Sequence, residues 1–550
     1  MRAPRRFQET HGGKRQGLLR LRESISASTD DAPQEIKRIA RDMHVPEATL
    51  RGVLSFYTDL ESKPSEVRVC QGTSCKLAGA PALASALESR FKCRNAYCLG
   101  HCDRSPAILN GQGEVLTGDE AWELARGTAP QFPAHEHRTS LRSLAREPIV
   151  LRHLLERDAV ELAAARALGI YESLAKALGG SPQELLDAVE RSGHRGRGGA
   201  GFLTGAKWKS CAVAPGLLKY VVVNGDEGDP GSFVDRVLME SDPHSVVEGL
   251  ALCAYAVGAR EGIIFIRSEY PQAIASMQQA VGAAYEQGIL GASVLGSGFG
   301  LEVSVCPGLG SYVCGEETAM LNAIEGWRGE VRIRPPYPAV EGLYGRPTVV
   351  NNVETLVSIP FIVERGPEVY AEFGTERSRG TKVFSLNQGF SRPGLVEVEF
   401  GITLQEVIEE AGDTGMEATI LGGPMGSVLL PHEWGVPVCY VSMAEASIQL
   451  GHGGLVAIPR GTDFRALLAH WLEFMMEESC GKCVPCRLGS QCASHVLQEQ
   501  DGSASRARLR RLFDVMEAGS LCAFGQSMPR PMRKLMESFS EQVFPRGGRP

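Results

Sequence analysis

The stretch ESCGKCVPCRLG, residues 477–488, places Cys480, Cys483 and Cys486 at every third position. Three thiolates at that spacing converge on one centre from one tight loop, so the chain must fold to bring a further donor to it. Zinc sites normally collect their ligands as separated pairs, whereas a cubane cluster offers three corners to one loop and the fourth to a distant residue. GSLCAFG supplies Cys522 in a Gly-flanked turn after the next helix; Cys492, on the helix following the loop, is the rival donor. The expectation is a 4Fe–4S cluster on Cys480, Cys483, Cys486 and Cys522.

A second set lies near the other end, Cys70-QGTS-Cys75 and Cys98-LGH-Cys102. Such pairs can form a zinc site, two disulfides or a 2Fe–2S cluster. The x4 and x3 gaps exceed the usual C-x2-C of zinc ribbons and suit a flat two-iron rhomb, each iron taking two thiolates. Cys93 fits neither pair. Cys211, Cys253, Cys306 and Cys439 stand in apolar or glycine-rich settings and read as core thiols. The chain has 15 cysteines, an odd and clustered set, and its basic first 22 residues lack the apolar core of a secretory signal. This favours metal ligation over a disulfide framework and a cytoplasmic setting. A flexible tail and a mitochondrial transit peptide both fit that basic segment.

At 550 residues the chain exceeds what one core can organise. Its net charge of −8 argues against nucleic acid as a partner, and no apolar run approaches the length of a membrane span.

Hydrophobic periodicity divides the chain into an α/β multidomain protein. After a basic tail (1–24), Ile36, Ile39, Ala40 and Met43 form one helical stripe and Leu50, Val53, Leu54 and Tyr57 a second, a helical hairpin over 25–65. Lacking a basic recognition helix, it reads as a packing module, not a DNA-binding one. EVRVC, a helix near 78–90 and a hairpin around Asn110-Gly111 make a small α/β domain over 66–127, followed by a Pro- and His-rich linker at 128–139. Over 140–375 helices alternate with apolar strands such as KYVVVN and GIIFIR, as in a sheet covered on both faces. Residues 376–458 read as a small α+β domain and 459–550 as a helical bundle.

GRGGAGF formally satisfies G-x-G-x-x-G through Gly196, Gly198 and Gly201, but a helix precedes it where the dinucleotide fingerprint has a strand. Backbone without side chains still admits a phosphate or flat ring, and Lys207 adds a charge. Asn224, Asp226, Glu227 and Asp229 follow the strand KYVVVN, at the carboxyl end where open α/β sheets bind ligands. SYVCGEETAMLNAIEG suggests a strand, a turn, then Glu316 and Glu317 at a helix start. Together these segments suit ribose- and ribityl-like hydroxyls, with acidic groups favouring NAD over its 2′-phosphorylated relative.

GRGGAGFLTGAKW, NGDEGDPGSF, SYVCGEETAMLNAIEGWRGE, RPTVVNNVETL and ESCGKCVPCRLG with GSLC closely resemble the flavin-carrying, NADH-oxidising subunit of respiratory complex I and its diaphorase relatives. Residues 25–127 resemble that subunit's usual partner, a helical hairpin with a thioredoxin-like 2Fe–2S domain. The resemblance implies a Rossmann-like FMN/NAD domain over 140–375, a ubiquitin-like domain over 376–458, and a 2Fe–2S cluster on Cys70, Cys75, Cys98 and Cys102. It implies FMN held by Gly196, Arg197, Gly198, Gly199, Gly201, Lys207, Asn224, Asp226, Glu227, Asn351 and Asn352, with Gly315 and Glu316 completing the cofactor-binding set. NAD(H) would meet Phe202, Asp229, Tyr312, Glu317, Arg334 and Tyr337. Three of these depart from the complex I pattern, which usually has Glu, Lys and Phe at the positions of Asp229, Arg334 and Tyr337. The implied activity passes hydride between NAD(H) and FMN and single electrons to the clusters. LGGPMGSV and LGHGGLVAI look most like the β subunit of NAD-dependent molybdenum or tungsten formate dehydrogenase, which would make the partner the catalytic (α) chain of a formate dehydrogenase. A NAD-reducing hydrogenase, complex I and a redox-sensing binding module are the alternatives.

Overall fold

The computed structural model describes residues 32–42, 44–61, 66–128, 139–499 and 502–545. The basic tail, the start of the hairpin segment, Met43 and most of the linker lie outside these residues.

Four parallel strands form the central sheet, in the order Glu302–Pro307, Glu261–Ile266, Tyr220–Gly225 and Thr348–Asn352. The two inner strands are almost wholly buried, which is why KYVVVN and GIIFIR read as continuous apolar runs. On one face the helix Pro243–Val257 is buried nearly all round, as are Ala273 and Met277 of Pro271–Glu286. On the other face lies the N-terminal hairpin. Ile36, Ile39 and Ala40 of Ala32–Asp42, with Leu50, Val53 and Leu54 of Glu47–Leu54, join one apolar cluster with Tyr220, Val222, Ile263 and Phe265 of the sheet. The hairpin's apolar stripe is therefore used for packing, and Tyr57 fastens it by donating to the Trp327 carbonyl at 2.6 Å.

The small domain that follows has the strand order Cys93–Ala96, Val67–Cys70, Ala107–Leu109, Val115–Thr117, the last two forming the expected hairpin around Asn110-Gly111. Helices Ala80–Glu88 and Asp119–Arg126 bury Leu83, Leu87, Ala121 and Ala125 with Val67 and Val69.

The mixed sheet of the ubiquitin-like part is built on the antiparallel pair Thr381–Leu386 and Gly394–Glu399. Strand Gly454–Ile458 runs parallel beside the first, and helix Leu404–Ala411, opened by a Thr403–Glu406 capping box, supplies Leu404, Val407 and Ile408 to the core. This sheet also takes Leu141–Ser143 as an edge strand, parallel to Gly394–Glu399. The residues just after the linker thus belong to this sheet and not to the nucleotide domain in which the sequence alone sets them. Glu397 fixes the crossing, accepting the backbone N–H groups of Ile149, Val150 and Leu151 at 2.8–2.9 Å.

One sequence expectation is corrected at SYVC. Those residues form a 3-10 turn, Tyr312–Gly315, and not a strand. The strand ends earlier at Pro307, where Gly308 and Gly310 break it, Gly310 with φ of +76°. C-terminal helices Phe464–Glu478, Val484–Gln498, Gly502–Gly519 and Pro529–Ser538 complete the bundle.

Candidate functional site

Cys480, Cys486 and Cys522 are buried and Cys483 is half-buried. Cys483 caps the helix Val484–Gln498, Cys486 lies in its first turn, and Cys522 caps Ala523–Ser527. The Phe524 and Gly525 N–H groups face the Cys522 sulfur, an arrangement that favours negative sulfur. Burial pushes Cys486 up to about 12 and Cys522 to about 11, with the other thiols of the set adding to the rise. Thiols so placed become thiolates when a metal centre compensates them, so the donor set suits a cluster. Cys492, further along the same helix, is exposed.

The second set is tighter. Cys70, Cys75, Cys98 and Cys102 are all buried, with Sγ–Sγ distances of 4.0 Å for Cys70–Cys98 and 3.5 Å for Cys98–Cys102. None is in a disulfide, and the Gly100 N–H lies 3.3 Å from the Cys98 sulfur as a donor. Four free thiols gathered in one buried nest fit a two-iron cluster. Cys93 stands apart at the start of its strand.

The glycine loop closes on itself between two helices, Pro182–Arg191 and Thr204–Val213, through a bond from the Gly196 N–H to the Phe202 carbonyl at 2.8 Å. A Cβ at Gly198 would lie 2.9 Å from that of Asn352, and Gly199 takes φ of +115°, so neither position accepts a side chain readily. Asn224 donates to the Gly315 carbonyl at 2.8 Å, and Trp208 donates to Asn351 at the same distance. Lys207 reaches the Val350 carbonyl at 3.1 Å and Glu317 at 3.3 Å. Asp226 is pushed well up by burial, and its Oδ2 is buried with no partner among the described residues. A bare glycine wall, a lysine and an orphaned carboxyl oxygen together fit a phosphate- and hydroxyl-bearing cofactor such as FMN. The Arg197 guanidinium is fully buried, donating to the Arg195 and Arg379 carbonyls and to the Tyr370 hydroxyl.

At the mouth, Phe202 and Tyr337 are exposed, at 57% and 58%. Glu316 is held by capping the helix Glu317–Ile324, accepting from Thr318 and Ala319. Glu317 is free of that duty and instead faces Arg334 at 3.0 Å and Lys207 at 3.3 Å. Tyr312 donates a short hydrogen bond to Asp229.

Residues that periodicity and spacing do not single out join the three regions. Tyr97, next to Cys98, packs edge-on against Phe474 at 5.1 Å between ring centroids; Tyr312 meets Phe474 at 5.0 Å and Phe524, two residues from Cys522, at 5.4 Å. Arg267 donates to the Tyr97 and Glu227 carbonyls at 2.6 and 2.7 Å, and Arg236 to the Gly100 carbonyl at 2.8 Å. Both cysteine sites are thereby packed against the walls of the same cradle. Single aromatic or arginine residues carry no local signal of such a role.

Family models match three segments: a thioredoxin-like [2Fe-2S] ferredoxin at residues 8–118, the Nuo51 FMN-binding domain at 189–361, and the NADH-ubiquinone oxidoreductase-F iron-sulfur binding region at 466–545. HndC, a component of the NADP-reducing hydrogenase of Solidesulfovibrio fructosivorans, is 43% identical over 68% of this chain and 78% of its own length. An F-type component of the NADH-quinone oxidoreductase of Rhizobium meliloti (strain 1021) is 42% identical over 72% of this chain and 96% of its own. The chain belongs to the family of F-type NADH-quinone oxidoreductase components and their hydrogenase counterparts. It is an NAD-dependent oxidoreductase subunit with an FMN-binding domain, a 4Fe–4S-binding region and a thioredoxin-like 2Fe–2S domain. A solved NAD+-reducing [NiFe]-hydrogenase contains a chain that aligns with 97% of this one and 94% of its own length, at a TM-score of 0.81 and 28% identity. No helix among the described residues is long and apolar enough to cross a membrane.

Proposed function

We propose that this chain is the diaphorase subunit of a cytoplasmic multisubunit enzyme, exchanging electrons in pairs with NAD(H) and singly with a catalytic partner of the hydrogenase type. The observation that carries the partner reading is the fusion. The hairpin, the 2Fe–2S domain and the flavin-binding part lie on one chain here, and the NAD+-reducing hydrogenase chain aligns with nearly all of it. The molybdenum or tungsten formate dehydrogenase partner expected from LGGPMGSV and LGHGGLVAI has no counterpart among the relatives named for this chain.

FMN, when bound, exchanges hydride with the nicotinamide and single electrons with the clusters, so the protein's task is placement. Gly198 and Gly199 let the backbone approach the cofactor, Lys207 brings a cation, and Asn224 with Asp226 faces its hydroxyl-bearing part. Phe202 and Tyr337 offer flat apolar faces to the nucleotide at the mouth. Glu317, with its two cationic neighbours, reads the ribose. Cys70, Cys75, Cys98 and Cys102 would hold the two-iron cluster and Cys480, Cys483, Cys486 and Cys522 the four-iron one. The outlet side is Cys483, the least buried of the four, next to the exposed Val484. No side chain has to donate or remove a proton for hydride transfer.

The test is metal analysis of the complex purified through a tag on this chain. Nickel at stoichiometry with the chain is expected. Molybdenum or tungsten in its place would transfer the assignment to formate dehydrogenase, and iron alone would move it to a quinone-linked module.

A further inference from the structure

His452 lies in the sequence Gly-His-Gly-Gly at the wall of the flavin cradle, where a Cβ on Gly199 would meet the Gly451 carbonyl carbon at 3.5 Å. The side chain is buried, and each ring nitrogen faces a buried carboxylate: Nδ1 stands 3.2 Å from Glu227 Oε1 and Nε2 stands 3.2 Å from Asp235 Oδ2. Asn352 Nδ2 stands 2.6 Å from Asp235 Oδ2 and 3.1 Å from His452 Nε2, so the ring touches two elements of the cradle, the NGDEGDPG loop and the Asn351-Asn352 strand end. Glu227 Oε1 and His452 Nδ1, 3.2 Å apart, do not complete a hydrogen bond, and neither has another among the described residues.

We propose that His452 is a positioning residue of the flavin site: a buried imidazolium that braces Glu227 and Asn352 and supplies the counter-charge that makes the cradle favour reduced over oxidised FMN. This rests on FMN occupying the cradle, as in the proposed function. Two electrons and one proton turn the neutral isoalloxazine into an anion, so a fixed cation among the nearby carboxylates favours the reduced cofactor selectively. The neighbouring cations are each paired elsewhere: Lys382 with Glu354 in a buried ion pair, Arg236 with Glu240 at 2.6 Å, Arg267 with Glu269 at 3.0 Å and Lys207 with Glu317 at 3.3 Å. Consistently, Asp235 and Glu227 hold the imidazole well above its ordinary value despite burial.

The test compares His452→Asn and His452→Gln with the parent holoenzyme at pH 8, measuring the affinity of FMN in its oxidised and dithionite-reduced states by flavin fluorescence and absorbance. Both variants are expected to lower the ratio of reduced to oxidised affinity at least tenfold. Equal weakening in both states would make His452 merely structural and overturn the proposal. Failure of the parent chain to bind FMN at all would instead overturn the cofactor assignment. Should neither variant fold, 15N spectra of the histidine-labelled parent decide: an imidazolium signal must persist at pH 9, and its absence overturns the proposal.

Discussion

At the residue scale, the metal-donor positions were the most legible part of the site, because ligand spacing is a local property of sequence. The choice between Cys522 and Cys492 is not local: Cys522 is buried at the start of Ala523–Ser527, whereas Cys492 is exposed on Val484–Gln498. Cys522→Ser should abolish the four-iron electron paramagnetic resonance signal, whereas Cys492→Ser should leave the signal and the iron content unchanged; loss of iron in the latter would reverse the assignment. Glu317 makes a second test. It stands between Arg334 and Lys207, and removing it would leave two cations facing the ribose. Glu317→Ala is therefore expected to raise the NADPH-to-NADH ratio of kcat/KM by roughly tenfold, about 1.4 kcal/mol of discrimination. A ratio that does not move would take Glu317 out of ribose recognition. His452 could be read in the sequence only as one polar residue among glycines; its neighbours Glu227 and Asp235 come from a segment more than 200 positions away.

At the scale of elements, periodicity found the helices and the buried strands but misplaced the turn at Tyr312, since an apolar tripeptide beside glycines suits a strand as well as a 3-10 turn. It also gave no hint of what a wholly buried helix does with its charged residues. Glu248, 1% exposed in Pro243–Val257, accepts the Leu174 N–H at 3.0 Å, and burial raises it from 4.5 to about 7. Because the folded value is the higher one, the fold binds this proton more tightly than the unfolded chain. Stability from this group is therefore intact near pH 4.5, falls as pH rises toward 7, and stays lower above it, by on the order of 3 kcal/mol. Glu248→Gln should raise the thermal midpoint at pH 8 and leave it nearly unchanged at pH 4.5. Equal midpoints at pH 8 would contradict a charged Glu248 in the fold.

At the scale of the whole molecule, the domain content was readable in the motifs, but the packing was not. Contacts between segments far apart in sequence depend on surfaces, and these have no period. The hairpin stripe covers the central sheet, Leu141–Ser143 joins the ubiquitin-like sheet, and the 2Fe–2S loop rests on the flavin domain through Arg236 and Arg267. Arg267 is buried and also pairs with buried Glu269 at 3.0 Å. Arg267→Met should cost roughly 3–5 kcal/mol, the usual penalty for leaving one partner of a buried pair alone. A lower denaturant midpoint would report it, and an unchanged midpoint would show that the docking does not depend on this arginine.

The three sites act as one device only if electrons delivered by NADH reach the four-iron cluster through the flavin. Anaerobic NADH titration of the purified holoprotein, followed by flavin absorbance and electron paramagnetic resonance, tests this most directly. Flavin bleaching together with a reduced four-iron signal is expected in the parent chain, and bleaching without that signal in Cys483→Ser. An unbleached flavin, or a four-iron cluster that stays oxidised in the parent, would contradict the account.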